Sequence, residues 1–280
     1  MAKYGIPYQG SKSGIADSLI TFLPSGERFV DLFGGGAAMS ECAIKSGKYK
    51  SVYYNELNPL LCDLIKRATS GEFNYDRFKP EFISREEFAK LRDNDGYIKW
   101  IWSFGNNGKN YLFSKEIEPQ KRSLHNYVVF GVKNGFIKAH FNDIDKFVIG
   151  KDIRKRRLLL RRYMQMKKAR RPHMELQQLQ QLQQLERLEI NCGSYLDYEY
   201  QDGDVVYCDP PYEGTEGYNQ AKFNHKEFYD WVASRPYQVF FSSYKISDKR
   251  FKMIWAKSKQ NLMGGASGQF KNYECLYTNK

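Results

Sequence analysis

A chain of 280 residues with 41% hydrophobic and 16% aromatic content has material for one large or two ordinary domains with real cores. Five scattered cysteines without a CxxC pair and four isolated histidines argue against a disulfide framework or a metal site, and fit a reducing, cytoplasmic setting. The net charge of +12 is concentrated between Lys151 and Arg171, where eleven Lys/Arg stand against one Asp, a local +10. Charge this dense fits a polyanion such as nucleic acid, the alternative being a solvated basic helix. No apolar run reaches spanning length and the N-terminus carries no signal-peptide core, so neither a membrane anchor nor export is expected.

In chain order, Tyr8-Gln9-Gly10-Ser11-Lys12 precedes an amphipathic helix from Gly14 to Leu23, closed by Pro24. A Gly-Ser-Lys turn at a helix start can hold an anion, although Lys12 also reads as an ordinary surface cation. Arg28 to Phe33 is a strand containing Asp31, and Gly34-Gly35-Gly36 turns it into a helix starting near Met39. Glycines there let the backbone approach a ligand closely. Met39 occupies the third glycine position, so a GxGxxG dinucleotide fingerprint fails. The next strand, Ser51 to Glu56, ends in an acid twenty residues after Gly36, the spacing at which a carboxylate meets ribose hydroxyls. Turn and acid together point to an adenosine-containing ligand.

Asn58 to about Phe78 reads as helical, and Ser84 with Glu87 opens a further helix through a capping box. Between Asp95 and Phe113, aromatic residues surround Ser103-Phe-Gly-Asn-Asn-Gly-Lys-Asn110. Two readings stand: a plain hairpin with Asn107-Gly108 at its tip, or a base-reading loop offering Asn106, Asn107, Lys109, Asn110 and Tyr111. The basic run follows, with Arg156, Arg157, Arg161 and Arg162 as candidate phosphate contacts. Leu176, Leu179, Leu182, Leu185 and Leu188 recur every three residues amid glutamines, a period that drifts around a helix and reads as a connector.

Glu189 to Tyr195 is a strand and turn leading to Asp204-Val-Val-Tyr-Cys-Asp-Pro-Pro-Tyr212. The apolar run there is a buried strand that the two prolines stop, because they fix φ and remove two N–H donors. Asp209, the proline carbonyls and the Tyr212 ring are thereby held at the carboxyl edge of a sheet, where open α/β sheets bind ligands. Acceptors without competing donors suit an exocyclic amino group, and the ring suits a planar base, although the segment taken alone reads more readily as a strand ending in a proline turn with Asp209 an ordinary turn residue. A polar loop and a helix from His225 to Ser234 come next. Gln238–Ser243 and Tyr273–Tyr277 are the last strands, with a Gly/Ser-rich loop, Met263 to Lys271, between them.

Taken together, Tyr8-Gln-Gly-Ser-Lys12, Asp31-Leu-Phe-Gly-Gly-Gly36, Asn55-Glu56, Gly193-Ser-Tyr195 and Asp209-Pro-Pro-Tyr212 resemble, in order and across nearly the whole chain, the Dam-type DNA adenine-N6 methyltransferases of bacteria and phages. The resemblance implies a doubly wound, Rossmann-like α/β sheet carrying an inserted, mainly helical DNA-recognition domain. It implies S-adenosyl-methionine as methyl donor, double-stranded DNA as partner, restriction–modification as one setting, and a monomer or weak dimer. By matching positions, Tyr8, Lys12, Asp31, Phe33 to Gly36, Glu56, Ser194, Tyr195 and Asp209 would bind the donor, with Lys12 near its carboxylate. Asp209, Pro210, Pro211 and Tyr212 would hold the target adenine. The chain has Glu56 where the family commonly has Asp, Pro7 where it has an early lysine, and a reader loop poorer in Arg, so a GATC target is not implied. The expected domains are 1–68 with 176–280 for catalysis and 69–175 for recognition. The alternatives are cytosine-N4 or RNA methylation, and a DNA-binding relative without catalysis.

Overall fold

Along the central strands, consecutive apolar residues go to opposite faces, so both faces of the sheet must be covered. Phe29, Val205, Tyr207 and Phe240 join one buried cluster with Ala16, Leu19, Met39 and Cys42. Val30, Val206, Cys208 and Phe241 join another with Phe228, Trp231 and Val232. These clusters are the two layers of a doubly wound domain. The computed structural model describes residues 3–74, 76, 78–141, 143–146, 150, 152–166, 182, 185, 188–213, 223–259 and 272–280.

Seven strands form the sheet: β1 Gly26–Asp31, β2 Tyr49–Glu56, β3 Leu188–Cys192, β4 Asp204–Cys208, β5 Val239–Ser243, β6 Lys252–Lys259 and β7 Asn272–Thr278. Their order is β3-β2-β1-β4-β5-β7-β6, parallel from β3 to β5, with β7 antiparallel to both its neighbours. The order reverses direction between β1 and β4, which makes their carboxyl ends the switch point where such sheets place ligands. The expected Rossmann-like α/β class is the one observed. Strand β6 was not expected. Its sequence lacks apolar alternation because it is an edge strand, with Lys252, Met253, Lys257 and Ser258 exposed and a bulge between Met253 and Trp255.

Helices α1 (Ala16–Phe22), α2 (Ala38–Ser46) and α3 (Pro59–Thr69) precede α4 (Arg85–Leu91), α5 (Gly96–Ile101), α6 (Glu118–Phe130), α7 (Gly135–His140) and α8 (Ile153–Met166); α9 (His225–Ser234) follows β4. The helix expected from Asn58 to Phe78 ends at Thr69, where the chain passes into turns around Gly71 (φ 83°). The chain divides into one compact unit of Met1–Ile6, Ser11–Cys62 and Leu185–Lys280, holding the sheet, and another of Pro7–Gly10 and Asp63–Gln184. Most of the leucine–glutamine connector and the whole Met263–Lys271 loop lie outside the described residues.

The second unit is built on aromatic packing: Phe82 lies against Trp102, Phe113 and His125, and Phe73 against Tyr97. Helix α8 buries Ile153, Leu160, Tyr163 and Met164, a helical repeat of apolar positions. Arg156 lies on that buried face, at 8% exposure. Its guanidinium donates to the carbonyls of Val128 (2.6 Å) and Val129 (2.5 Å), acceptors that the last turn of α6 leaves without helical partners.

Candidate active site

Strand β4 delivers Asp209-Pro210-Pro211-Tyr212 to the carboxyl edge, as the proline stop dictates. Pro210 is buried, and the Pro211 carbonyl accepts a hydrogen bond from His225 Nε2 (2.8 Å) at the start of α9. The Asp209 side chain is 18% exposed, and one oxygen, Oδ2, lies 2.7 Å from Lys12 Nζ. The other, Oδ1, is buried and has no hydrogen-bond partner among the described residues. An unmatched buried carboxylate oxygen is costly, and it fits an N–H donor brought by a ligand.

Lys12 is held by the local turn that carries it. The Ser11 hydroxyl accepts from the Ser13 N–H, and Ser13 Oγ accepts from the Tyr4 N–H (2.9 Å). The Lys12 ammonium also lies 3.4 Å from Glu274 Oε1 and 4.7 Å from the centre of the Tyr212 ring. The Tyr212 hydroxyl donates to Glu274, and its ring meets Tyr244 edge-on at 4.7 Å. Burial alone would lower the Lys12 pKa, but the Asp209 and Glu274 charges outweigh it and hold the ammonium protonated. Burial pushes the Asp209 carboxyl up, Lys12 opposes, and the Glu274 charge adds to the rise. Glu274 had no place in the expected site. Its one sequence signal is an acid inside an otherwise aromatic and apolar strand, Tyr273 to Tyr277.

The turn after β1 is the second half of the site. Gly34 donates to the Asn55 carbonyl (2.8 Å), and a Cβ on Gly34 would stand 2.2 Å from the Tyr54 ring, so no larger residue fits. Ala37 takes the left-handed conformation (φ 61°) to start α2. Gly5 is pinned in the same way: its φ is 68°, and a Cβ would meet the Gly36 carbonyl at 2.3 Å. Asn55 ties the strand ends together, donating to the Leu32 (3.2 Å) and Gly193 (3.0 Å) carbonyls while its oxygen accepts from Asn191 (2.6 Å).

Glu56 accepts from the N–H groups of Gly35 (3.0 Å) and Asn58 (2.8 Å). Burial raises its pKa, opposed by those donors. Asp31 is 1% exposed and accepts from the Ser40 hydroxyl (2.7 Å) and backbone, at the first turn of α2. Burial carries it to about 7, with the Asp209 and Glu56 charges adding to the rise against Ser40. Phe33 and Tyr195 lie 5.2 Å apart, and Tyr195 also packs on Trp231, while Ser194 Oγ caps the short turn that carries Tyr195. The structure thus brings Lys12, Asp31, Gly35, Glu56 and Asp209 into one electrostatically coupled set within the sheet unit.

Other expected site residues belong to the second unit. Tyr8 belongs to the second unit and packs edge-on against Trp100 at 5.1 Å. The loop from Ser103 is a tight turn closed by a Ser103–Tyr111 bridge, in which Asn107 Oδ1 accepts from Lys109 and Asn110 N–H groups and Asn106 Nδ2 donates to Trp100. Tyr111 is 9% exposed, with its hydroxyl on the Ile83 carbonyl and Arg85 over its ring, so it offers no stacking face. Lys109 and Asn110 remain exposed. Among the basic-run candidates, Arg156 is a correction: it is spent on the end of α6, whereas Arg161 and Arg162 are exposed and Arg157 is half-buried.

If Glu56 grips both ribose hydroxyls of a donor, Glu56→Gln loses charge-assisted hydrogen bonds worth roughly 1.5–3 kcal/mol each. Titration calorimetry with S-adenosyl-methionine should then show binding weakened at least about tenfold. Unchanged affinity with an unchanged melting temperature would remove Glu56 from the site.

Comparison with known proteins agrees with this geometry. Residues 8–263 match the family described as D12 class N6 adenine-specific DNA methyltransferase. The chain is 26% identical over 239 residues to the retron Ec67 DNA adenine methylase of Escherichia coli, covering 83% of this chain and 72% of that protein. It is 22% identical over 221 residues to the DNA N-6-adenine-methyltransferase of Escherichia phage P1, covering 75% of this chain and 24% of the phage protein. The chain belongs to the D12 class of N6 adenine-specific DNA methyltransferases.

Proposed function

From that membership we propose that the sheet unit binds S-adenosyl-methionine at the β1 and β2 ends and a flipped-out adenine at Asp209–Tyr212. The observation that carries the adenine assignment is the buried Asp209 Oδ1 without a partner among the described residues, on a carboxylate whose other oxygen meets Lys12, the ammonium that also stands over the Tyr212 ring. S-adenosyl-methionine supplies an electrophilic methyl group on a positively charged sulfur. Asp31, Glu56 and Asp209, all held up by burial, favour a cation among them. Glu56 would take the ribose hydroxyls, and the Gly34–Gly36 backbone would line the amino-acid part.

The adenine amino group is a poor nucleophile because its lone pair is delocalised into the ring. Asp209 Oδ1 and the Pro210 carbonyl would accept its two N–H groups, favour pyramidal nitrogen and aim the lone pair at the methyl carbon. Asp209 would then stabilise the positive charge that develops on N6 and take up the released proton, a task suited to its raised pKa. The Tyr212 ring would carry the base by stacking. A duplex hides N6 from such a pocket, so the base must leave the stack.

Incubation with mixed-sequence DNA and methyl-labelled donor, followed by base identification, tests this directly. Label in N6-methyladenine is expected, and label only in N4-methylcytosine or in RNA would reject it.

Phosphate binding falls to the solvent side of α8, where Arg154, Lys155, Arg161 and Arg162 are exposed. Neutralising these four to Gln should weaken binding to all DNA sequences alike. Every phosphate that the variant no longer neutralises should take about 0.9 off the slope of log affinity against log salt. An unchanged slope would leave this face as solvated charge. Changes at Lys109 or Asn110 should instead alter which sequence is methylated, since base contacts specify and phosphate contacts position.

A further inference from the structure

We propose that Glu274 is a positioning residue for methyl transfer: it draws the Lys12 ammonium partly off Asp209 and anchors the Tyr212 hydroxyl, leaving Asp209 an oxygen for the substrate amine and fixing the stacking ring. This rests on the adenine-N6 assignment and adds to it a residue outside the Asp-Pro-Pro-Tyr segment.

Glu274 is only 4% exposed, a costly place for a carboxylate unless it is paired. Pairing of β7 on both sides sets its position, with Glu274 opposite Lys257 on β6 and the next residue, Cys275, opposite Ser243 on β5. Its carboxylate accepts from the Tyr212 hydroxyl, and its Oε1 lies 3.4 Å from Lys12 Nζ. Lys12 in turn stands 2.7 Å from Asp209 Oδ2. An ammonium has three donors and no acceptor, so it competes with an incoming amine for the oxygens of any carboxylate it touches. With a second carboxylate in reach, Lys12 is shared and its hold on Asp209 is weaker. The ring of Tyr212 gains two anchors, the hydroxyl on Glu274 and the edge contact with Tyr244, and a stacking surface fixed at both ends loses little freedom when a base settles on it.

Glu274→Gln separates charge from shape, because Gln keeps the size and an acceptor for the Tyr212 hydroxyl but removes the charge that draws Lys12 away from Asp209. In steady-state methyl transfer to mixed-sequence DNA with labelled donor, kcat near neutral pH should fall about tenfold or more, with KM for donor and DNA within about twofold. The pH profile adds a readout that mere packing would not move. Asp209 is faced by Lys12, Glu274, Tyr212, Tyr207, Cys208 and Asp31. Burial raises its pKa, Lys12 opposes, and the Glu274 charge adds to the rise. Removing that charge lets Asp209 ionise at lower pH, so the acidic limb of kcat should move to lower pH. Glu274→Asp keeps the charge and should keep the limb in place while recovering part of kcat.

Wild-type kcat in Glu274→Gln, or a loss with the acidic limb unmoved, overturns the proposal. Should the Gln variant not fold, Tyr212→Phe keeps the ring and removes the hydroxyl that Glu274 holds. Its kcat should fall several-fold, and an unaltered kcat overturns the anchoring role. Absence of N6-methyladenine with the wild-type protein would instead defeat the adenine assignment itself, whatever the variants do.

Discussion

Asp209→Ala is expected to abolish measurable methyl transfer while leaving DNA affinity within about a factor of two. Both consequences follow from its position. Asp209 stands at the end of β4, its Oδ1 buried without a partner among the described residues and its Oδ2 on Lys12, within the sheet unit. The exposed cations of α8, proposed above to bind phosphate, belong to the other compact unit, so that binding would not draw on Asp209. In the proposed mechanism alanine removes the acceptor for the amino group and the negative charge that would meet the developing cation. Loss of one preorganised electrostatic partner costs about 10²–10³ in kcat, and in the proposed mechanism one residue supplies both orientation and charge, so a loss at or beyond the upper end is expected. The same measurement separates an enzyme from a DNA-binding relative without catalysis. Equal and negligible transfer by wild type and variant, with no donor binding by either, would favour the latter.

Asp31→Asn should raise the melting temperature at pH 8 and lose that advantage below about pH 4. Asp31 is 1% exposed, and burial holds its carboxyl near 7 against an ordinary value of 3.8. A folded-state pKa raised above the unfolded one means that the folded chain binds the proton more tightly. This contribution therefore favours folding most below the unfolded pKa, fades as pH rises between about 4 and 7, and is absent above 7. The charged form is penalised by on the order of 4 kcal/mol net, after the Ser40 donors have offset part of the cost of burial. Asparagine carries no charge, keeps one acceptor for Ser40 and escapes that penalty. Parallel calorimetric scans from pH 4 to 8 check the sign: a wild-type advantage that grows with pH would show that Asp31 is stabilised as an anion. If the carboxylate is kept for the donor's positive charge, S-adenosyl-methionine should also bind the Asn variant more weakly.

Much of the chemistry was legible locally. Two prolines after an apolar run state by themselves where β4 stops and what stands there, because fixed φ and missing donors act on the residues that carry them. The Gly34–Gly36 turn and Glu56 belong to one strand–turn–helix–strand unit whose geometry is short-range, so spacing alone linked them. Resemblance in motif order then carried the fold class, which the strand order bears out.

What the sequence by itself determined is therefore the continuous apolar run that makes β4 a buried strand, the stops and turns at the carboxyl edge, and the motif order of the family. Tertiary structure alone decided which charges meet. Lys12, Asp209 and Glu274 come from opposite ends of the chain and converge because β7 inserts beside β5, a pairing that no local pattern encodes. Arg156 looks like its neighbours in a basic run, yet the packing of α8 on α6 turns it inward to cap carbonyls, while Arg161 and Arg162 stay in solvent. Edge strand β6 was hidden for the same reason: its place comes from pairing with β7 and not from an apolar face of its own. Backbone stops act on adjacent residues and can be read in order, whereas burial and charge pairing depend on which distant segments the fold brings together.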